Sequence, residues 1–224
     1  MIISSVDWKK FSSDYLNVLR GTFSGLNLTR ILDDNEFYQK QILDSLAPLE
    51  QSPIFLEEIN RKGICVDVGF GGGFPLVPLA KALPAINFIG VEKVRKKLNA
   101  VQEICKILDI NNIKFSHSNL GEINFDKDAV ITLKAVGTLE NYLPLFQASA
   151  NLSVFFYKGP SFQKDESESI NNFSNNWERI EEKTLAVEGV GDRILIGLKN
   201  KNVLRGTLKK NNRNIDITSI LKSN

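Results

Sequence analysis

From residue 63 onward, two patterns of hydrophobic and polar positions alternate along the chain. Short apolar runs that suit buried strands occupy residues 64–68, 86–92, 113–117, 129–133 and 152–158. Apolar residues at helical spacing fill the intervals, at residues 75–83, 94–108, 138–150 and 162–173. This alternation predicts an α/β fold in which parallel strands are joined by right-handed helical crossovers.

The last part of this region predicts a hairpin. Residues 179–187 and 193–199 read as two strands, and the turn between them at residues 188–192 contains Gly189 and Gly191. Such a short connection joins antiparallel neighbours. The predicted sheet therefore has five parallel strands followed by an antiparallel pair.

Residues 1–60 are predicted to be helical. Asp7 can cap a helix that runs to about residue 19, and Asp33 or Asp34 one that runs to residue 46, before Pro48. These helices are too few to form a core alone, so we expect them to pack on the sheet. The predicted segments are a helical extension (1–60), an α/β domain (61–200) and a basic tail (201–224).

A glycine-rich run at residues 66–75, Val-Asp-Val-Gly-Phe-Gly-Gly-Gly-Phe-Pro, joins the first strand to the first helix. Such a turn lets the backbone approach a ligand and directs helix N–H groups toward it. The dinucleotide fingerprint fails at Phe74, and the P-loop pattern fails because Phe74 and Pro75 follow Gly73. Asp67 would repel a pyrophosphate but suits an ammonium group or ordered water. A turn without a ligand is disfavoured, because its glycines cost conformational entropy.

Composition bounds the class of protein. The 224 residues, 42% hydrophobic and 24% charged, are typical of a globular protein of one domain with an appendage. No apolar run is long enough to cross a bilayer, and no secretory signal is visible. Cys65 and Cys105 lie far apart without a Cys-x-x-Cys or Cys/His cluster, which predicts reduced thiols in a cytoplasmic protein and no metal site.

Charge is unevenly distributed although the net charge is only +2. One basic cluster, Lys93, Arg95, Lys96 and Lys97, follows the second predicted strand. A second lies in residues 199–224, with seven basic side chains against one acidic one. Basic segments attract phosphate backbones. From charge alone, a solvated tail or helix face without a nucleic-acid partner is an equally good interpretation of these clusters.

Several motifs together resemble one family. The acid and alternate glycines of Asp67, Gly69, Gly71 and Gly73 are similar to the first motif of S-adenosylmethionine-dependent methyltransferases. The chain also carries more specific motifs: Asn-Leu-Thr at residues 27–29, Ile-Leu-Asp-Ser-Leu at 42–46, Lys-Ala at 134–135 and Lys-Gly at 158–159. In this order they resemble the bacterial 16S rRNA guanine-N7 methyltransferase G family, also called glucose-inhibited division protein B.

The resemblance, which covers about residues 15–200, implies a fold and a function. It implies the class I, Rossmann-like, seven-stranded methyltransferase fold with an N-terminal helical extension. It also implies transfer of a methyl group from S-adenosylmethionine to N7 of a guanine in 16S rRNA. The expected partner is 16S rRNA or the small ribosomal subunit, with no membrane and no metal, and the protein is expected to be a monomer.

The expected cofactor residues lie at the carboxyl ends of the strands, where ligands of such sheets bind. Glu92, 19 positions after Gly73, can accept the hydroxyl groups of a ribose. The resemblance places the adenine at Leu120 and Gly121, although Asn119 beside them reads equally as a turn residue. The predicted cofactor set is Asp67, Gly69, Gly71, Gly73, Phe74, Glu92, Leu120, Gly121 and Lys134.

The predicted chemistry requires no catalytic residue. Guanine N7 carries a lone pair and no proton, so methyl transfer needs alignment and exclusion of water rather than a general base. Lys134 and Lys158, at strand ends, are candidate substrate contacts. His117, the only histidine, is interpreted as structural. Asn27, Thr29, Asp44 and Ser45 either shape the pocket or brace the N-terminal helices.

The chain also departs from the family pattern, as a divergent member would. Gln41 replaces a histidine, Lys134 an arginine, Phe70 a small hydroxyl residue, and Gly121 an acidic residue. Two alternatives stand beside methylation of rRNA, of which the departures at Gln41 and Lys134 motivate the first. One is a homologue that binds RNA or cofactor without methyl transfer, and the other is a methyltransferase acting on another substrate.

Overall fold

The structure is a computed structural model and describes residues 6–162, 166–201 and 214–223. Its strands are β1 (Ile64–Val68), β2 (Asn87–Val91), β3 (Ile113–Ser116), β4 (Ile123–Phe125), β5 (Ala129–Lys134), β6 (Gln147–Ala148), β7 (Leu152–Lys158), β8 (Trp177–Val187), β9 (Gly191–Asn200) and β10 (Ile215–Asp216). Its helices are α1 (Trp8–Gly21), α2 (Asp34–Phe37), α3 (Asp44–Gln51), α4 (Pro53–Lys62), α5 (Leu76–Ala82), α6 (Arg95–Ile107), α7 (Leu139–Tyr142) and α8 (Ile217–Lys222).

Seven strands form the main sheet in the order β3-β2-β1-β5-β7-β9-β8. β1 lies at its centre, in parallel register with β2 and β5, so that Val66 is opposite both Ile89 and Ile131. β9 is antiparallel to β7 and to β8. The predicted parallel strands and the closing hairpin are thus confirmed. This order puts the carboxyl ends of β1, β2, β3 and β5 beside one another.

The N-terminal helices pack on one face of the sheet. Buried side chains of α1, α3 and α4, including Tyr15, Leu46 and Phe55, share a core cluster with β1 and with α5 and α6. Asp7 caps α1 by accepting a hydrogen bond from Lys10 N at 3.0 Å, as predicted. Both cysteines are buried.

Three helix predictions are wrong. The helix expected at residues 138–150 stops at Tyr142, because Pro144 lacks the N–H that a longer helix needs. In the helix expected at 162–173, Ser167–Phe173 form a 3-10 turn instead, while residues 163–165 lie outside the described residues. The helical run that begins at Asp34 continues beyond Pro48 to Gln51, through a π-helical turn at Tyr38–Leu43. Pro48 has no N–H to donate, but buried Leu46 and Leu49 keep that helix packed.

α4 lies almost entirely in the region predicted to be helical, but its bounds were not predicted, although its boundary signals are present. The Ser52 side chain accepts a hydrogen bond from Phe55 N at 2.9 Å, and Pro53 occupies the first turn. Gly63 ends the helix with φ 67°, the left-handed conformation that glycine adopts readily. The cap, the proline and the terminal glycine together are a recognisable helix pattern.

The end of the chain contributes a small second sheet, in the order β10-β4-β6, that was not predicted. α8 follows β10 and buries Ile217 and Ile220 in the core cluster on the second face of the main sheet. Residues 202–213 and 224 of the predicted basic tail lie outside the described residues.

Phe70, the unusual residue within the glycine-rich turn, is a core residue. It is 2% exposed, and its ring lies 5.7 Å from the ring of Phe115 on β3. Gly90 on β2 makes room for it, since a Cβ at Gly90 would lie 2.8 Å from Phe70 Cε1 and 2.7 Å from Leu76 Cδ2. The large side chain of Phe70 therefore fits because Gly90, which lies against it, has no side chain.

We predict that Gly90→Ala lowers the free energy of unfolding by about 1–3 kcal/mol, because the added methyl group overpacks a filled site. Urea denaturation measures the change. In a Phe70→Leu background the same substitution should cost less, and the double-mutant cycle gives the coupling. Equal costs in both backgrounds would show that Phe70 does not limit the space at Gly90.

Candidate functional site

The glycine-rich turn leaves β1 at Gly69 and reaches α5 at Leu76. Gly69, Gly71 and Gly73 have φ values of 72°, 54° and 95°. Other residues adopt this left-handed backbone only with strain, which explains the alternate glycines. The Gly69 N–H donates to Val91 O at 2.8 Å and so fixes the start of the turn to β2.

The N-terminal segment supports this turn from behind. The Tyr15 hydroxyl donates to Gly72 O at 2.7 Å. A Cβ at Gly72 would lie 2.5 Å from Leu28 O, and one at Gly73 would lie 2.3 Å from the Tyr15 hydroxyl. Leu28, in the Asn-Leu-Thr motif, therefore lies against the turn and braces it. Tyr15 was not predicted; its only sequence signal is its position on the apolar face of α1.

Asp67 lies below the turn, in the protein interior. It is 1% exposed, and its carboxylate accepts hydrogen bonds from Thr132 Oγ1 at 2.8 Å and from Leu76 N at 3.1 Å. Burial raises the pKa of Asp67 to about 7, although both hydrogen bonds act in the opposite direction. The structure thus places this carboxylate between β1, β5 and the start of α5, where it joins the three elements.

Glu92 connects the turn to the end of β2. It is 5% exposed; its Oε2 accepts from Gly71 N at 3.1 Å and its Oε1 from Val94 N at 2.9 Å. Each carboxylate oxygen can accept a further hydrogen bond, so a ligand hydroxyl can still bind here.

A cavity of about 580 Å³ opens in front of Gly69, Gly71 and Glu92. It has two walls. The first wall comprises Val68, Gly69, Gly71, Val91, Glu92, Lys93, Val94, Lys97, Ser118, Asn119 and Leu120. The second wall comprises Ala135, Val136, Gly137, Asn141, Tyr142 and Leu145.

The structure brings together only part of the predicted cofactor set. Gly69, Gly71, Glu92 and Leu120 line the cavity, whereas Asp67, Gly73, Phe74, Gly121 and Lys134 are not part of its lining. Phe74 packs in the N-terminal core, with its ring 5.1 Å from that of Tyr15. Gly121 faces β6, where its carbonyl accepts from Gln147 Nε2 at 2.7 Å. The polar residues of the second wall, Asn141 and Tyr142, were missed, because only the fold places α7 opposite β2.

Lys134 forms a buried ion pair. Its Nζ lies 2.7 Å from Asp44 Oδ2 and donates to Lys40 O at 3.1 Å. Arg193 Nε reaches the other oxygen of Asp44 at 3.1 Å. Burial lowers the pKa of Lys134, while the Asp44 charge opposes that shift. The three side chains join the π-helical turn and α3 to β5 and β9, so Asp44 braces the N-terminal helices.

Lys158 is also paired internally. It is 9% exposed and donates to both oxygens of Glu166, at 2.9 and 2.8 Å, and to Gly137 O at 2.9 Å. Glu166 in turn accepts a hydrogen bond from Leu139 N at 3.0 Å. We call this arrangement the Lys158–Glu166 clasp. It connects the end of β7 to the loop that forms the second wall.

The basic cluster after β2 lies at the edge of the cavity. Lys93 and Lys97 belong to the cavity lining, and Lys93, Arg95 and Lys96 are exposed. His117 supports this edge, with Nδ1 2.8 Å from Arg95 Nη2 and Nε2 3.0 Å from Lys93 O. This agrees with a structural role for the histidine.

In the described part of the chain, no group of three or more His, Cys, Asp or Glu side chains is arranged to hold a metal ion. None of its helices is both long and apolar enough to span a membrane.

Sequence comparisons identify similar proteins. A model of the rRNA small subunit methyltransferase G family matches residues 9–195. Ribosomal RNA small subunit methyltransferase G of Lactobacillus johnsonii is 30% identical over 214 residues, covering 90% of this chain and 86% of that protein. The Streptococcus pneumoniae serotype 4 protein of the same name is 31% identical over 120 residues, or 51% of this chain and 49% of that protein.

A solved structure shows the same architecture. Magnesium protoporphyrin IX methyltransferase from Synechocystis PCC 6803, with bound SAM, matches with a TM-score of 0.53 and 14% identity. The match covers 87% of this chain and 97% of that chain. At this identity the likeness concerns the fold alone, and it confirms the predicted class I, Rossmann-like methyltransferase fold.

We predict that Asp67→Asn flattens the dependence of stability on pH. The folded-state pKa of about 7 lies above the ordinary 3.8, so the carboxyl group contributes stability at low pH that is lost as the pH rises toward 7. Asparagine cannot ionise, which removes a slope of at most about 1.4 kcal/mol per pH unit. Urea denaturation of both proteins between about pH 5 and pH 8 measures this slope.

A second variant tests the cause of this pH dependence. Thr132→Val removes the hydrogen bond that lowers the pKa of Asp67, so the loss of stability should extend to higher pH. Equal slopes for Asp67→Asn and the unmodified protein would exclude Asp67 as the titrating group.

Proposed function

Because the chain belongs to the rRNA small subunit methyltransferase G family, it is an S-adenosylmethionine-dependent rRNA methyltransferase, and we propose that it methylates N7 of a guanine in 16S rRNA. Membership rests on the family match over residues 9–195. The choice of acceptor atom rests on the chemistry that the cavity can support.

The observation that carries the proposal is the cavity between the left-handed glycine turn and Glu92. Side chains at Gly69 and Gly71 would be strained, and one at Gly69 would also lie 3.2 Å from Val136 Cγ1. A ligand can therefore approach the backbone of this turn closely only if these positions are glycine. We propose that the turn contacts the methionine part of the cofactor and that Glu92 accepts ribose hydroxyl groups. Ser118, Asn119 and Leu120 would then contact the adenine.

Bound S-adenosylmethionine supplies an electrophilic methyl group. This chain's residues would orient the acceptor base and exclude water. N7 of guanine has a lone pair and loses no proton when it is methylated, so no general base is needed. Of the charged groups that line the cavity, Glu92 already accepts two backbone N–H groups, while Lys93 and Lys97 suit phosphate.

Lys134 and Lys158 were the expected substrate contacts. In the structure their ammonium groups are bonded to Asp44 and Glu166, and both side chains are largely buried. We therefore propose that they hold the walls of the cavity in place. We assign the phosphate contacts to the exposed cations Lys93, Arg95 and Lys96.

The departures from the family pattern lie away from the cavity lining. Gln41 lies in the π-helical turn, where its carbonyl accepts from Ser45 Oγ at 2.5 Å, and Phe70 is in the core. Lys134 replaces an arginine but still pairs with Asp44. These positions therefore do not favour a homologue that binds without methyl transfer.

Because rRNA is the substrate, we propose that the protein acts in the cytoplasm. We also propose that it acts as a monomer.

We expect purified protein with methyl-labelled S-adenosylmethionine to label small-subunit rRNA that lacks the modification. Nucleoside analysis should recover the label as 7-methylguanosine. Naked rRNA and assembled small subunits, tested in parallel, identify the preferred form of the substrate. Label in a different nucleoside would refute N7 as the acceptor, and RNA binding without any label would support the non-catalytic alternative.

We predict that Glu92→Gln weakens binding of S-adenosylhomocysteine on the order of 10- to 100-fold, because hydrogen bonds to a charged acceptor are lost. Isothermal titration calorimetry measures the dissociation constant. Glu103→Gln, on the exposed part of α6, is the matched control and should bind normally. Unchanged affinity in Glu92→Gln would place the ribose elsewhere.

A further inference from the structure

The second wall of the cavity has no role in the proposed binding of the cofactor. Its residues come from the loop after β5 and from α7 and the turn that follows it. The two walls meet at the glycine turn, where a Cβ on Gly69 would lie 3.2 Å from Val136 Cγ1. A ligand between the walls would therefore touch both the glycine turn and α7.

The second wall presents apolar surface to solvent. Leu145 is 42% exposed, and Val94, on the first wall, is 39% exposed. Tyr142 is half-buried and belongs to the same lining. An aromatic ring beside exposed aliphatic side chains at the mouth of a cavity suits a flat ligand, because nucleobases stack on aromatic side chains.

Tyr142 is held in place by its surroundings. A Cβ at Gly137 would lie 3.5 Å from Tyr142 Cε2 and 3.3 Å from Asn141 Nδ2, so α7 packs closely on the loop. The Lys158–Glu166 clasp fixes the same loop through Gly137 O and Leu139 N. Burial raises the pKa of Tyr142, and the Glu92 charge raises it further, so the hydroxyl stays protonated.

We propose that the second wall binds the target guanine, with the base stacked on Tyr142 and its edge recognised by Asn141. This inference rests on the proposed function. Methylation at N7 requires that atom to stay uncovered, so recognition has to use the Watson–Crick edge of the base. The amide of Asn141 is exposed and offers one acceptor and two donors, which suit the guanine N1–H and O6 of that edge.

A base in this position has to leave its stack in the RNA. Enzymes that modify a base commonly turn it out of the stack into a pocket, at a cost of a few kcal/mol. Stacking on Tyr142 would offset part of that cost. Lys93, on the first wall, and the exposed Arg95 and Lys96 that follow it in the chain would contact the flanking phosphates.

The test compares Tyr142→Ala with the unmodified protein in methyl transfer to small-subunit rRNA. We expect kcat/KM for RNA to fall on the order of 10- to 100-fold, the range for loss of one base stack. The dissociation constant for S-adenosylhomocysteine should stay within about twofold. Tyr142→Phe keeps the ring and should retain most of the activity.

Two more variants complete the test. Leu145→Ala should lower kcat/KM for RNA several-fold, while the matched control Ile107→Ala, also an exposed apolar residue but on α6, should not. Thermal denaturation confirms that each variant is folded. Loss of S-adenosylhomocysteine affinity in Tyr142→Ala would overturn the inference by assigning the ring to the cofactor, and so would unchanged kcat/KM.

The same assays separate this inference from the proposed function. If the unmodified protein methylates rRNA and Tyr142→Ala does so equally well, the inference fails and the function stands. If the unmodified protein transfers no methyl group to rRNA, the proposed function fails and the inference fails with it.

Discussion

The turn between β1 and α5 has to keep three glycines in left-handed backbone, and the groups that hold it come from distant parts of the chain. Glu92 accepts the N–H of Gly71, the hydroxyl of Tyr15 donates to the carbonyl of Gly72, and Asp67 accepts the N–H of Leu76 where the turn ends. A turn made mostly of glycine has few side chains to anchor it, so its shape depends on these external partners. The rest of the site is arranged around this constraint.

Buried charge has a related role in this protein. Lys134, Asp44 and Arg193 join the N-terminal helices to the ends of the strands, and the Lys158–Glu166 clasp holds the second wall. Buried ion pairs contribute little net stability compared with apolar packing, yet removing one partner is costly. Their effect here is to fix the relative positions of elements that have no common hydrogen-bond ladder. The exposed cations beside the cavity remain available for phosphate.

The N-terminal helices are therefore part of the site. Their side chains share a core with α5 and α6, and Tyr15 and Leu28 reach the back of the glycine turn. Displacement of α1 would remove the partner of the Gly72 carbonyl. Binding of the cofactor should for this reason be coupled to the packing of a segment that does not line the cavity.

The sequence by itself determined the strands of the main sheet, their parallel and antiparallel connections, the glycine turn and the acidic residue after β2. These features depend on local apolar patterns and on glycine spacing, which can be read along the chain. Only the tertiary structure decided which polar side chains face the cavity. Asp67, Lys134 and Lys158 sit at strand ends like true ligand contacts, but each has a partner far away in sequence: Thr132, Asp44 and the loop at Gly137. Tyr142 could not be identified from the sequence as a cavity residue, because α7 faces Glu92 only once the sheet has formed.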